Sequence, residues 1–168
     1  MRCLIFLLLF SPFVLANNYK LGSGDKIQII VYGEEGLTTE ITIDKSGVIS
    51  FPFLKDIQVV DLSVKELERV IYQGLLGDYL ISPQVSVSVV QYRPFYIHGQ
   101  VNRPGGYPYQ ENLTFDKAIA VAGGLSIRAS KTDWAITRKV NGDVVTIEAN
   151  VATQIMPDDI IKIEQSFF

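Results

Sequence analysis

Alternation of apolar and polar residues predicts the strands in the first half of this chain. Short runs in which every second residue is apolar have the pattern of half-buried strands. Turn-forming residues separate these runs, and Pro52 is expected to break one of them or to confine it to a sheet edge. The predicted strands are residues 26–32, 40–44, 48–53, 57–60 and 84–91.

One segment of the first half has helical periodicity instead. Ser63 and Glu66 have the spacing of a capping box, and Leu62 and Leu67 are placed to pack across it. Gly77 supplies a left-handed stop after the helix. The apolar stripe of this helix is predicted to consist of Val64, Leu67, Val70, Ile71 and Leu75.

The second half again sets short strands around one helix. Pro104 and the glycines after it predict a tight turn followed by a short strand. Thr114 is placed to cap a helix that Gly123 ends, and Asn141-Gly142 favours a two-residue hairpin turn. One helix against a small mixed sheet is an α+β arrangement, here resembling a β-grasp. The predicted strands are residues 96–101, 133–138, 144–148 and 160–163, and the predicted helix face is Phe115, Ala118, Ile119 and Ala122.

The first 16 residues predict export from the cytoplasm. Arg2 gives a positive start, residues 3–15 are almost wholly apolar, and Ala16 ends the run before a polar pair. This is the layout of a secretory signal peptide cleaved after Ala16. A membrane-anchoring helix is the alternative, but the run is short for a span and contains Pro12. Cleavage would remove the single cysteine, Cys3, and with it any thiol chemistry.

The charge balance argues against a nucleic-acid partner. The chain has 15 basic and 18 acidic residues and a net charge of −3 with histidine neutral. Removal of residues 1–16 takes away Arg2 and no acid, so the mature chain is more acidic still. Nucleic-acid binding would require a basic patch instead.

No residue pattern in the sequence is typical of a catalytic or metal centre. The single histidine, His98, lies mid-strand without an obvious Ser–acid partner, so we expect it to be structural. Asp158 and Asp159 lack further ligands at metal-site spacing and are interpreted as a solvated turn. Their turn resembles Gly24-Asp25, since both place an acid before an apolar strand, although the general preference of turns for Asp explains this. We therefore expect a non-enzymatic protein without cofactor or metal.

The order of motifs resembles the outer-membrane polysaccharide export family, the Wza-like proteins of Gram-negative capsule and exopolysaccharide systems. Residues 19–29, 43–52 and 82–87 are similar to the polysaccharide export domain of that family. Residues 99–107, 122–125 and 136–138 are similar to its soluble-ligand-binding β-grasp (SLBB) domain. The positions that match the family motifs, all expected to be structural, are Gly24, Asp25, Asp44, Gly47, Pro52, Pro83, Gly99, Pro104, Gly105, Gly123 and Gly124.

The resemblance implies a domain order and a set of partners. The signal peptide (residues 1–16) would precede an export domain (17–92), one SLBB domain (93–164) and a short tail (165–168). Members of the family form homo-oligomeric rings that receive polysaccharide from an inner-membrane copolymerase. The sequence shows one SLBB module and no amphipathic helix after it. We therefore expect a periplasmic ring, associated with the outer membrane, that relies on a separate outer-membrane β-barrel.

The sequence departs from the family before its last strand. The usual Pro-Gly-Asp appears here as Pro157-Asp158-Asp159, which puts an Asp where a glycine would allow positive φ. Asp tolerates that conformation better than most residues, so the turn is expected to survive.

A monomeric periplasmic carbohydrate-binding module is the alternative function. Aromatic residues near the seam between the two halves favour it superficially, since sugar rings stack on aromatic faces. Strand aromatics more often pack in cores and interfaces. Arg103, Tyr107 and Arg128 are candidate contacts to polymer or to a neighbouring subunit. The aromatic residues concerned are Tyr92, Phe95, Tyr96, Tyr107 and Tyr109.

Overall fold

The first of two α+β units contains a three-stranded antiparallel sheet and one long helix. A computed structural model describes residues 19–140 and 142–166, so the predicted signal peptide and Asn141 of the predicted hairpin turn lie outside the described residues. The strand order is β2-β1-β5, and β3 pairs with β4 in a separate antiparallel ribbon. The elements are β1 (Lys26–Val31), a 3₁₀-helix (Glu35–Leu37), β2 (Thr39–Thr42), β3 (Val48–Ile49), β4 (Ile57–Gln58), α1 (Val64–Leu75) and β5 (Val85–Gln91).

The capping box predicted for α1 is confirmed. The Ser63 hydroxyl accepts from the backbone N–H of Glu66, and the Glu66 carboxylate accepts from the backbone N–H of Ser63. These bonds satisfy two donors that the first turn of a helix leaves free. Leu67, Ile71 and Leu75 are buried against the sheet, as predicted.

Two predictions in this unit are wrong. Val70 was expected in the buried stripe of α1, but it is 39% exposed because Leu67, Ile71 and Leu75, spaced one turn apart, already cover the sheet. The strand expected at residues 48–53 is too long, because it is limited to β3; the chain turns at residues 51–54, around the break expected at Pro52. The Leu54 N–H donates to the Phe51 carbonyl in that turn, and Phe53 has a φ of +65°.

The second unit is a five-stranded mixed sheet with one helix. Its strand order is β7-β6-β10-β8-β9, in which β10 runs parallel to β6 and the other pairs are antiparallel. Buried residues of α2 share a core with those of β6, β8 and β10, which confirms the α+β class. The elements are β6 (Phe95–Gly99), β7 (Gly105–Tyr107), α2 (Phe115–Val121), β8 (Ala129–Val140), β9 (Asp143–Glu148) and β10 (Ile160–Gln165).

The start of α2 differs from the expectation. Thr114 occupies the N-cap position, but its side chain makes no capping hydrogen bond. The Thr153 carbonyl accepts instead from the Phe115 N–H, and the Val151 carbonyl accepts from the Asp116 N–H. A loop distant in sequence therefore satisfies the free donors of this helix. Among the described residues, helices are too short or too polar to cross a bilayer.

The capping box makes the stability of the first unit depend on pH. Lys20 donates to the Glu66 carboxylate, and this bond, followed by those from Ser63, lowers the pKa of Glu66 from 4.5 to about 2. Because the folded pKa lies below the unfolded value, this contribution is fully present above the unfolded pKa and is lost as pH falls through the folded one. We expect Glu66→Gln, which can still form a capping box, to unfold more easily than the wild type at pH 7.

Urea denaturation across a pH series checks this expectation. The difference in free energy of unfolding between wild type and Glu66→Gln should shrink as pH falls from 4.5 towards 2. A difference that stays constant over this range would contradict a role for the Glu66 charge.

Candidate functional site

A buried carboxylate joins the two units. Asp25, at the start of β1, is fully buried and accepts four hydrogen bonds. The donors are the Gly22 N–H at 2.8 Å, the Tyr19 hydroxyl, the Arg93 N–H at 2.8 Å and Arg93 Nη1 at 2.9 Å. Arg93 lies in the short connection between β5 and β6. Asp25 of the first unit therefore holds the connection through both the backbone and the side chain of Arg93.

A row of aromatic rings continues this junction into the second unit. Tyr92 packs edge-on against Tyr19, with ring centroids 4.9 Å apart, and against Tyr109, at 5.3 Å. The Tyr92 hydroxyl donates to Glu111, and the Arg93 guanidinium lies over the Tyr19 ring. Burial, followed by these carboxylate hydrogen bonds, raises the pKa of Tyr19 and of Tyr92. Both phenols therefore stay protonated and donate to their carboxylate partners.

A glycine is required at the junction for space. A Cβ added at Gly22 would lie 2.4 Å from Arg93 Nη1. Gly24, a predicted motif residue, has a φ of +97°, which favours glycine. The turn before β1 thus depends on two glycines that let Arg93 reach Asp25.

The second unit also contains a buried aspartate that pairs with an arginine. Asp159, before β10, is buried and accepts from the Met156 N–H at 2.7 Å and from Arg138 Nε and Nη2 at 2.8 and 2.6 Å. Asp158 has a φ of +71° and occupies the position that Gly24 has in the first unit. The turn at Pro157-Asp158-Asp159 therefore forms as predicted, with Asp where the family motif has glycine. The hydrogen bond to Asp159 raises the pKa of Arg138. The interpretation as a solvated turn holds for exposed Asp158 and is wrong for Asp159, because Arg138 pairs with its carboxylate.

The predicted turn after β6 caps the C-terminus of α2. Asn102 Nδ2 donates to the Gly123 carbonyl at 2.7 Å. The Arg103 N–H donates to the Ala122 carbonyl at 2.9 Å, and its Nη2 donates to the Val121 carbonyl at 3.2 Å. A cation near the last carbonyls of a helix also interacts favourably with the helix dipole. Gly123 and Gly124, with φ of +81° and +86°, form the predicted left-handed stop.

The three candidate contact residues do not form one site. Arg103 and Tyr107 are brought together, since the Tyr107 hydroxyl donates to the Arg103 carbonyl at 2.6 Å. Arg128 is exposed, and its carbonyl accepts from the N–H of Ser166 near the end of β10. Arg103 donates hydrogen bonds to the last carbonyls of α2, a contact that its sequence position does not reveal.

Several other motif positions lie in turns or at the start of strands. Gly47 has a φ of +73°, and a Cβ there would lie 2.6 Å from Val60 Cγ2. Hydrogen bonds from Ser46 lower the pKa of Asp44 in the same turn. Pro83 is buried before β5, whereas Pro104 and Gly105 are exposed in the capping turn.

The aromatic residues near the seam form no open platform. Phe95 is fully buried and stacks on Tyr107, and Tyr109 is also buried. Tyr96 is the most exposed of the five. This packing supports the interpretation of strand aromatics as core and junction residues.

An exposed aromatic pair in the first unit was missed by the sequence analysis. Phe53 and Tyr79 stack with ring centroids 5.1 Å apart, although both rings are largely exposed. The positive φ of Phe53 is rare for a bulky residue and costs about 1–3 kcal/mol. The interruption of the strand pattern at Pro52 was the only signal for this turn.

The described residues contain no cluster suited to metal binding. No group of three or more His, Asp or Glu side chains within residues 19–140 and 142–166 is arranged to hold an ion. His98 lies exposed on β6.

We expect Asp25→Ala to destabilise the protein by about 3 kcal/mol, because it leaves the Arg93 guanidinium and the Tyr19 hydroxyl without their shared acceptor. Lys26→Ala, which removes the exposed pair with Glu40, is the matched control and should cost less than about 1 kcal/mol. Denaturant unfolding measures both. Equal, small losses in the two variants would show that the junction does not hold the units together.

We expect Gly99→Ala to destabilise the second unit strongly. Gly99 has a φ of +89°, and a Cβ there would lie 2.2 Å from the Ile163 carbonyl oxygen, so β6 and β10 would have to separate. Gly36→Ala is the control, because no atom lies near its Cβ position and its φ is not positive. Thermal unfolding should give a lower midpoint for Gly99→Ala alone. Matching midpoints would contradict the close approach.

Comparison with known proteins identifies both units. The family described as polysaccharide biosynthesis/export protein matches residues 15–90, and the SLBB domain matches residues 94–148. The exopolysaccharide production protein ExoF of Rhizobium meliloti (strain 1021) is 36% identical over 123 residues, which cover 66% of this chain and 29% of ExoF. The chain thus spans less than a third of that relative. It therefore contains an export domain of the polysaccharide biosynthesis/export type, followed by an SLBB domain.

Proposed function

We propose that this protein is a subunit of a ring through which a capsule or exopolysaccharide crosses the cell envelope. Its polysaccharide export domain and its similarity to an exopolysaccharide production protein support the substrate class. The role is passive: a conduit needs repeated subunits and a polar lumen, and no nucleophile. In this proposal residues 1–16 direct export, residues 17–92 and 93–164 form the two domains, and residues 165–168 form a tail.

The junction at Asp25 is the observation that carries the proposal. A ring closes only if each subunit presents its two contact surfaces at a fixed angle, because one heterologous interface is repeated around the axis. The Asp25–Arg93 pair and the aromatic row hold the two domains in one orientation. Two domains fixed in this way are suited to a closed assembly.

An exposed sheet edge offers one of these surfaces. All residues of β9 are exposed, and β9 forms an edge of the second sheet. Val144 on this strand is 71% exposed. Edge strands with apolar residues and unpaired backbone groups favour association. We infer that β9 contributes to the contact between neighbouring subunits.

The proposed conduit lies in the periplasm and has partners at both membranes. An inner-membrane copolymerase would deliver the polymer, and an outer-membrane β-barrel would receive it. The net acidity of the chain suits this role, because a strongly basic lumen would retain an acidic polysaccharide.

Light scattering on the purified chain without residues 1–16 tests the ring. We expect a mass that is a multiple of the protomer mass and does not grow with concentration. Val144→Lys should reduce this mass, because a lysine on an edge strand opposes pairing. Val151→Lys is the control, as Val151 is exposed in the loop after β9. A strict monomer at high concentration would contradict the ring and support a monomeric carbohydrate-binding module.

Deletion of the gene in its host provides the cellular test. We expect loss of secreted polysaccharide, restored by the wild-type chain and not by Val144→Lys. Unchanged secretion in the deletion strain would contradict the export role.

A further inference from the structure

An open cleft lined by a stacked aromatic pair lies in the export domain. Its volume is about 460 Å³, within the range of small-ligand sites. Phe53 and Tyr79 stack at 5.1 Å with an angle of 30° between their planes, and they are 63% and 49% exposed. The residues that line the cleft include Glu34, Leu37, Pro52, Phe53, Tyr79 and Leu80.

The backbone at Phe53 indicates that its ring has a use outside the core. A positive φ is strained for a bulky side chain, and residues strained in this way cluster at ligand-binding and active sites. The Phe53 ring is mostly exposed to solvent, so burial in the core does not account for it. Glycine or asparagine would suit the turn better, and contact with a ligand would explain why an aromatic ring stands there.

The chemistry of the cleft matches a sugar ring. One face of a pyranose presents C–H groups, which pack well on the electron-rich face of an aromatic ring, while its hydroxyls point outwards from the rim. Glu34 offers carboxylate oxygens that accept hydroxyl donors, and the Tyr79 hydroxyl can donate or accept. We propose that the cleft binds a neutral hexopyranose unit of the transported polymer, which stacks on a free face of the Phe53–Tyr79 pair while the second ring supports the first from behind.

The surrounding charges favour a neutral sugar over an acidic one. Glu34 lines the cleft, Glu35 follows it in the same turn, and Asp78 precedes Tyr79. No Lys or Arg belongs to the cleft lining, so the cleft offers an anionic sugar no cationic partner, and Glu34 would repel it. The inference rests on the proposed function in one respect, namely that a polysaccharide is the molecule that passes this surface.

A protein partner is the less favoured occupant. A stable protein interface buries about 800 Å² on each partner, with a well-packed apolar centre. The apolar lining here is confined to a few residues beside a carboxylate. This area suits one or two sugar rings better than a protein surface.

Nuclear magnetic resonance titration of the purified protein tests the assignment. Cellohexaose is the neutral probe, and an oligogalacturonate of equal length is the acidic one. We expect cellohexaose to shift the amide signals of residues 34–37, 52–54 and 79–80, and the oligogalacturonate to leave them in place. Phe53→Gly should weaken cellohexaose binding about tenfold, because it removes the stacking ring. Glycine also accepts the positive φ at this position, so the turn should be kept.

Two further variants separate binding from folding. Tyr79→Ala should weaken cellohexaose binding to a similar degree. Tyr96→Ala, which removes a comparably exposed aromatic ring from the SLBB domain, should leave it unchanged. Thermal unfolding of Phe53→Gly should show a midpoint no lower than that of the wild type, since glycine suits the turn.

Several results would overturn the proposal. These are the absence of cellohexaose shifts in the cleft, equal shifts with the oligogalacturonate, or wild-type affinity in both Phe53→Gly and Tyr79→Ala. A loss of oligomer mass in Phe53→Gly without any saccharide binding would make the cleft a contact between copies. An intact ring and secretion without cleft binding would refute the sugar site alone, whereas cleft binding by a monomer would refute the ring alone.

Discussion

One buried carboxylate holds the connection between the two units in place. Asp25 binds the backbone of its own turn, a tyrosine hydroxyl and both the backbone and guanidinium of Arg93. Each unit has a core of its own, so neither core fixes the angle between the units. The buried charge of Asp25 fixes the connection, because separating it from Arg93 would leave the carboxylate unpaired in the interior. The contacts of Tyr92 with Tyr109 and Glu111 extend this constraint to the second unit.

The two units share one local arrangement, a turn that leads to a buried aspartate paired with an arginine. In each, a turn with a positive-φ residue leads to a buried aspartate that accepts an N–H from three residues earlier and pairs with an arginine. In the export domain the arginine comes from the connection between units, whereas in the SLBB domain it comes from the adjacent strand β8. The same turn therefore binds the connection between the units in the export domain, whereas in the SLBB domain it binds a neighbouring strand of its own sheet.

The sequence predicts what is local and misses what is distant. The Ser63–Glu66 capping box and the Gly123 stop involve neighbours, so spacing alone reveals them. The Asp25–Arg93 pair joins residues 68 positions apart, and Asp159 looks like an ordinary turn residue until Arg138 is placed beside it. The Phe53–Tyr79 pair was missed for the same reason, because its rings come from two turns that only the fold brings together.

The position of β10 sets the order in which the protein acquires its structure. This strand lies in the middle of the second sheet, between β6 and β8, although it follows both in the chain. The sheet therefore cannot close until the last of its strands is available, and its β6–β10 pairing spans nearly the whole domain. Such long-range pairing slows folding, while the export domain is complete by β5. During synthesis the export domain is thus free to fold first, whereas the sheet of the SLBB domain can form only after β10 has emerged.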